Sequence, residues 1–191
     1  MMTMEKDVLV YNPGDKINTK AAAKAAEDQS ESSAQAYLVH KENGNVEKAR
    51  QLGKRLAEMV VEDLPHIEDH NSEDWLLIDH LKMLYIFVAE QIIKEHPDAI
   101  LYQVSLSAFR DAIEVGVPGA YDAMSGCSAD TFYQLAYYRK QKDQVENNMG
   151  RTMAQLYGKP DDWKIIAIGE HLFTAFQQKC RSECEKTEYL L

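Results

Sequence analysis

The stretch NVEKARQLGKRLAEMVVEDL, residues 45–64, decides the fold class. Its apolar residues recur every three to four positions, which places them along one face of a helix. That face comprises Val46, Ala49, Leu52, Leu56, Met59, Val60 and Leu64. Because a helix with one apolar face must bury it against other elements, the pattern predicts a packed helical protein.

Sequence breaks on both sides of this stretch separate further helices. The turn residues 43–45 precede it, and the charged connector 65–71 follows it. A helix is then predicted over 73–94, and Asp98 is predicted to start a further helix that ends near Gly116. The inward positions expected for that helix are Leu101, Val104, Ala108 or Phe109, and Ala112 or Ile113.

The remainder of the chain continues the helical pattern. A short helix is predicted over 120–124, and Ser128 is predicted to cap a long helix running toward Tyr157. A last helix begins at Asp161 or Asp162, and no alternation of apolar and polar residues has the length of a sheet strand. The fold class is therefore all-α: six to seven helices in an irregular bundle or stacked helical hairpins around a single core.

The predicted domain organisation is simple. Residues 1–17 read as an extended or flexible N-terminal arm, and residues 18–191 as a single helical domain. A sub-boundary near 65–72 or near 116–120 is the alternative, because both stretches interrupt the helical pattern.

Charge and cysteine content restrict the class of partner. The net charge of −10 and the pI near 5.1 argue against binding to nucleic acid or to an anionic membrane. The three cysteines, an odd number without a secretory signal, indicate free thiols and a cytoplasmic protein. The most apolar stretch, 75–93, contains charged residues and is expected to be a buried helix, so no membrane association is predicted.

A hairpin over residues 36–59 carries Tyr37, Gly44, Ala49 and Leu56 in the order helix, tight turn, helix. In these positions it resembles a tetratricopeptide repeat, and the resemblance implies a scaffold with a groove for a peptide or protein. Such repeats bury their faces by stacking, and no second copy follows at a period of about 34 residues. A simple helix pair joined by a glycine turn is the alternative.

The residues Gly126-Cys127-Ser128-Ala129-Asp130-Thr131-Phe132-Tyr133 resemble the turn and recognition helix of tetracycline-repressor-type helix-turn-helix regulators. The resemblance implies a DNA-binding regulator that uses Ser128 to Lys142. The side chains expected to face phosphates or base edges are Thr131, Tyr133, Arg139, Lys140 and Lys142. This hypothesis requires them to be exposed together on a positive face, whereas a capped helix followed by aromatic core residues is the alternative.

Histidines and a carboxylate suggest a metal site at His66, Asp69, His70 and His80. His66 and His70 are four residues apart, so a helix would present both imidazoles on one face. The alternative for His80, which is surrounded by leucine and isoleucine, is a hydrogen-bonded histidine of the core.

An aromatic group at Tyr133, Tyr137 and Tyr138 is the candidate ligand-binding site, with packing in the core as the alternative. No cofactor is predicted, because the chain has no glycine-rich phosphate loop and no dinucleotide fingerprint. Without a complete catalytic constellation, the sequence favours a non-enzymatic interaction or scaffold protein that binds a protein partner or forms a homo-oligomer.

Overall fold

Every regular element in the computed structural model is a helix, within the residues that it describes: 32–64, 73–139 and 144–190. The first, α1, covers residues 32–42. The others are α2 (Asn45–Glu62), α3 (Glu73–Lys94), α4 (Ala99–Gly116), α5 (Ala120–Gly126), α6 (Ala129–Tyr137), α7 (Val145–Leu156) and α8 (Trp163–Lys186). The predicted all-α class is confirmed.

The described residues form eight helices, so the predicted number of six to seven is too low. The additional helix arises because the long helix expected from Ser128 to Tyr157 is two helices, α6 and α7. Residues 139–144 between them have no apolar side chain that could hold a continuous helix against the core.

Local signals placed most of the helix ends correctly. α3 begins at Glu73 and ends at Lys94, as predicted. The Asp98 carboxylate caps α4 by accepting hydrogen bonds from the main-chain N–H groups of Ile100 at 2.9 Å and Leu101 at 3.0 Å. Ser128 is in the expected place but does not cap α6: its φ is 56°, in the left-handed region, and its side chain makes no capping hydrogen bond.

The residues from Tyr37 onward form one compact unit in which α3 is central. α3 packs against α2, α4, α5, α6, α7 and α8, and all of its residues from Met83 to Ile93 are buried. Apolar residues of all these helices join in one hydrophobic core, as the sequence predicted. The predicted arm, residues 1–17, and the predicted sub-boundary at 65–72 lie outside the described residues.

Glycines allow two helix pairs to pack closely. In the α2–α4 pair, a Cβ at Gly53 would contact the main-chain oxygen of Ser105 and would lie 2.9 Å from the Phe109 nitrogen. Gly53 thus lies beside 105–109 while Val61 lies beside Gly116, which means that α2 and α4 run parallel. In the second pair, α7 and α8 run antiparallel and meet at Gly150 and Gly169.

Candidate interaction surface

A groove of about 740 Å³ lies between α2 and α4. It is lined by small side chains that are buried or half-buried, Ala57, Ala108 and Ala112, and by the exposed Val61 and Val115. Because Gly53 brings the helix axes close together, the residues beside the contact are small and the surface between the helices is largely apolar.

The α4 side of the groove includes residues that the sequence pattern had assigned to the core. The buried positions of α4 are Leu101, Ser105, Phe109 and Ile113. Val104, which was predicted to point inward, and Ala108 and Ala112, which were the alternatives to Phe109 and Ile113, are only half-buried and line the groove. The apolar face of α4 is therefore wider than the part that contacts the core. The apolar residues that the core does not cover line the α2–α4 groove.

Four charged side chains of α2 line the same groove in a regular order. Arg50, Lys54, Glu58 and Glu62 follow one another at intervals of four residues, so they share one side of the helix. The N-terminal half of this edge is therefore basic and the C-terminal half acidic. On α4, Asp111 adds a further negative charge.

The groove also carries the most exposed large apolar side chain of the described residues. Val115 is 83% exposed and Val61 is 41% exposed. Single exposed valines are common on protein surfaces, but here they border the apolar lining of one groove. The combination of apolar lining and ordered charges makes this groove the candidate interaction surface.

A buried ionic cluster lies at a second cavity, of about 460 Å³, beside α3, α4 and α5. The Glu90 carboxylate accepts hydrogen bonds from Arg110 Nε at 2.8 Å and Arg110 Nη2 at 3.0 Å. Lys94 Nζ donates to it at 3.1 Å, and the Tyr121 hydroxyl donates at 3.2 Å. All four contacts go to one buried side chain, so the cluster ties the three helices together.

The electrostatics of this cluster fit a structural role. Burial would raise the pKa of Glu90, but the hydrogen bonds and charges of Arg110 and Lys94 outweigh burial and hold the pKa below its usual value. Burial, followed by the charge of Glu90, raises the pKa of Tyr121. An ionised carboxylate with both oxygens engaged by donors is a poor proton acceptor, so Glu90 is not available as a general base.

The predicted tyrosine site is brought together only in part. Tyr133 is fully buried, lies 5.5 Å from the Phe87 ring between centroids, and has a hydroxyl without a hydrogen-bond partner in the described part of the chain. Tyr137 and Tyr138 instead line a cavity of about 860 Å³ with Phe173 and Arg181. Their hydroxyls donate to Glu95 at 3.0 Å and to Gln91 at 2.8 Å, respectively.

The residues of the predicted DNA-binding segment are not presented together. Thr131 and Arg139 are exposed, but Tyr133 is buried, so it does not meet the condition that this hypothesis set. Thr131 lies at the cavity of the Glu90 cluster, beside Asp130 and Gln134. Lys140 and Lys142 lie outside the described residues.

Of the predicted metal site, only His80 lies in the described chain; His66, Asp69 and His70 lie outside it. His80 is buried, its Nδ1 has no hydrogen-bond partner among the described residues, and its ring meets that of Tyr157 edge-on at 6.0 Å. Burial lowers the pKa of His80, partly opposed by the charge of Asp79. Among the described residues, no group of three or more metal-ligating side chains is present.

Comparisons with known proteins do not help to interpret these grooves and clusters. No protein-family model, no curated protein and no solved structure matches this chain. Across the described ranges, no helix combines the length and apolar character that crossing a membrane requires.

Sequence reasoning missed the candidate interaction surface, although part of its signal is visible in the sequence. The order of two basic and two acidic residues at Arg50, Lys54, Glu58 and Glu62 can be read directly from the sequence. What the sequence does not reveal is that this edge of α2 borders an uncovered strip of α4, because that requires the parallel packing at Gly53.

Proposed function

We propose that this protein is a non-enzymatic interaction domain that pairs with a second copy of itself through the α2–α4 groove. The observation that carries the proposal is the charge order along α2. A basic half followed by an acidic half is complementary to itself when two copies meet in antiparallel orientation. Arg50 would face Glu62 of the second copy, and Lys54 would face Glu58.

The apolar residues follow the same symmetry. Gly53 packs beside 105–109 and Val61 beside Gly116, so the middle of the charged edge, between Lys54 and Glu58, lies near residue 110 of α4. Val104 and Val115 lie at similar distances along α4 on either side of that point. A twofold axis through this region would therefore place Val115 of one copy near Val104 of the other. Burial of the exposed Val115 and of the uncovered part of Val104 stabilises the pair by the hydrophobic effect, while the charges set its orientation.

Two further features agree with an interaction domain. The Glu90 carboxylate is occupied by Arg110, Lys94 and Tyr121, so the most conspicuous buried acid serves structure and not proton transfer. The cytoplasmic location stays part of the proposal because Cys127, Cys180 and Cys184 are all free thiols.

The proposal is tested by two charge-reversed forms of the full chain. In an acidic form, Arg50→Glu and Lys54→Glu leave four carboxylates along the edge; in a basic form, Glu58→Lys and Glu62→Lys leave four cations. Each form repels itself, so each is expected to be a monomer by light scattering coupled to size exclusion. Mixed in equal amounts, they are expected to form a heterodimer because their edges are now complementary.

A matched control carries Arg151→Glu and Lys164→Glu, exposed positions of α7 and α8 away from the groove. This form has the same net charge as the acidic form and should behave as the unaltered protein. The dimer of the unaltered protein should weaken as salt is added, because exposed ion pairs are screened. A monomeric unaltered protein at all concentrations, or no complex from the mixture, would overturn the proposal.

A further inference from the structure

The segment that follows α8, Thr187–Leu190, leaves the helix with extended backbone angles at Thr187 and is held against the first turn of α2. The Leu190 N–H donates to Asn45 Oδ1 at 2.8 Å, and Asn45 Nδ2 donates to the Leu190 carbonyl oxygen at 2.6 Å. One side-chain amide thus satisfies both main-chain polar groups of a single residue, as the neighbouring strand of a sheet would. Asn45 is completely buried, so this clamp is part of a formed site.

Other side chains of the same region hold the main chain of this segment. Lys48 Nζ donates to the Glu188 carbonyl oxygen at 2.5 Å, and Asn43 Nδ2 donates to the Leu190 carbonyl at 3.5 Å. The main chain is therefore held on both sides of Tyr189. Contacts of this kind recognise an extended backbone and do not depend on which side chains it carries.

The groove that holds Thr187–Leu190 is separate from the α2–α4 groove and is called the tail groove. Among the residues of the segment, Tyr189 is the one whose side chain enters the tail groove. Its ring packs edge-on against the His96 ring with centroids 5.0 Å apart, and burial raises the pKa of its hydroxyl. The adjoining cavity of about 260 Å³ includes Leu52, Ile93 and Cys184. An aromatic residue thus enters a largely apolar recess while the residues on either side are clamped.

The rim of the groove favours an acidic residue before the aromatic one. A shallow cavity beside Glu188 is lined by the cations Lys48, Arg55 and Lys186. Glu183 of α8 pairs with Arg55 and Lys186, whereas Lys48 reaches the segment itself. The surface that receives position 188 is therefore basic overall, which complements a carboxylate there.

We propose that the tail groove is a binding site for a peptide of a partner protein. The peptide would carry an acidic, an aromatic and an aliphatic residue in succession and would bind in an extended conformation. In this view Thr187–Leu190 is an intramolecular ligand that occupies the site and competes with the partner. A tethered ligand acts at an effective concentration in the millimolar range, so a free peptide binds the unaltered protein only weakly. Weakening the tethered segment should therefore open the site.

The test uses the full chain and a fluorescent peptide of residues 186–191, measured by anisotropy. Tyr189→Ala removes the ring that anchors the tethered segment and leaves the groove intact. This variant is expected to bind the peptide at least about tenfold more tightly than the unaltered protein. A control peptide with alanine in place of tyrosine should bind neither protein detectably.

A second variant, Leu190→Pro, loosens the tethered segment in a different way by removing the N–H that Asn45 accepts. Because Leu190 is exposed, this change leaves the core untouched. Adding Asn45→Ala to either variant should abolish the gained binding, with circular dichroism to verify the helical fold. If folded Tyr189→Ala and Leu190→Pro variants bind the peptide no better than the unaltered protein, the segment is only part of the fold and the proposal fails.

Discussion

Arg110 donates hydrogen bonds to both carboxylate oxygens of Glu90 across the contact between α3 and α4, from Nε to Oε1 at 2.8 Å and from Nη2 to Oε2 at 3.0 Å. Glu90 is buried, whereas the Arg110 side chain is half exposed. Loss of the guanidinium would leave a buried charge whose remaining partners, within the described part of the chain, are Lys94 and Tyr121.

Arg110→Ala is therefore expected to lower the free energy of unfolding by roughly 2 kcal/mol, since an under-paired buried charge is costly. Urea unfolding followed by circular dichroism measures the change. Arg151→Ala is the control, because Arg151 is exposed and its hydrogen bond among the described residues goes to Asn147 on its own helix; this variant should stay within about 0.5 kcal/mol of the unaltered protein. Equal effects of the two substitutions would contradict the role given to the Glu90 cluster.

Lowering the pH should weaken the fold in two steps. The folded pKa of His80 lies below 6.5 because burial disfavours its charged form. As the pH falls below about 6.5, the imidazole binds a proton in the unfolded chain but not in the folded chain, so stability decreases until the folded pKa is reached. Glu90 acts at lower pH: its stabilising effect is complete above its unfolded pKa of about 4.3 and is lost as the pH falls through its lower folded pKa.

Free energies of unfolding measured from about pH 8 to about pH 3 separate these steps. His80→Phe should reduce the loss of stability that begins below about pH 6.5 and leave the later loss, caused by Glu90, in place. Arg110→Ala should keep the earlier loss and reduce the later one. The difference in free energy of unfolding between this variant and the unaltered protein should shrink once Glu90 is protonated. A His80→Phe profile parallel to that of the unaltered protein would show that His80 is not the group responsible.

Gly53→Ala is expected to destabilise the protein by about 1–3 kcal/mol, because its new methyl group would meet the main chain of Ser105 and force α2 and α4 apart. Gly126→Ala is the matched control. Gly126 ends α5 with no atom within 4 Å of an added Cβ, so the gain in helix propensity should leave stability unchanged or slightly raised. Thermal unfolding of both variants decides the point; a neutral Gly53→Ala would mean that the pair can separate freely.

Tyr133→Phe is expected to stabilise the fold by about 1 kcal/mol, since the buried hydroxyl has no hydrogen-bond partner in the described part of the chain. Tyr137→Phe makes the matched comparison. It removes a hydroxyl that donates to Glu95 at 3.0 Å, so its effect should be small and of opposite sign. Denaturant midpoints of the two variants provide the measurement, and a destabilised Tyr133→Phe would reveal a partner for that hydroxyl.

The sequence predicted those features that depend on neighbouring residues. The turn at Gly44, the whole of α3 and the start of α4 at Asp98 follow from turn chemistry, hydrophobic periodicity and helix-start signals. For α4 the periodicity places Val104 inward and leaves Ala108 or Phe109 open; Phe109 is buried, whereas Val104 and Ala108 line the groove. A periodic pattern identifies an apolar face but not the element that covers it.

The features that the sequence could not predict depend on the relative positions of helices. Glu90 is one charge among many in the sequence, and only packing of α3 against α4 and α5 brings Arg110 and Tyr121 to it. In the same way, Asn45 reads as a turn residue until the segment after α8 is placed beside it. Both contacts join residues that are far apart in the chain or lie on separate helices.

The parallel course of α2 and α4 has a consequence for the order of folding. Two parallel helices cannot form a simple hairpin, so their contact at Gly53 closes a long loop that contains the whole of α3. The antiparallel α7 and α8, which meet at Gly150 across a short connection, close a much smaller loop. We expect the α7–α8 hairpin to gain amide protection before the α2–α4 pair in pulse-labelled hydrogen exchange, so that the proposed dimer surface is completed late in folding.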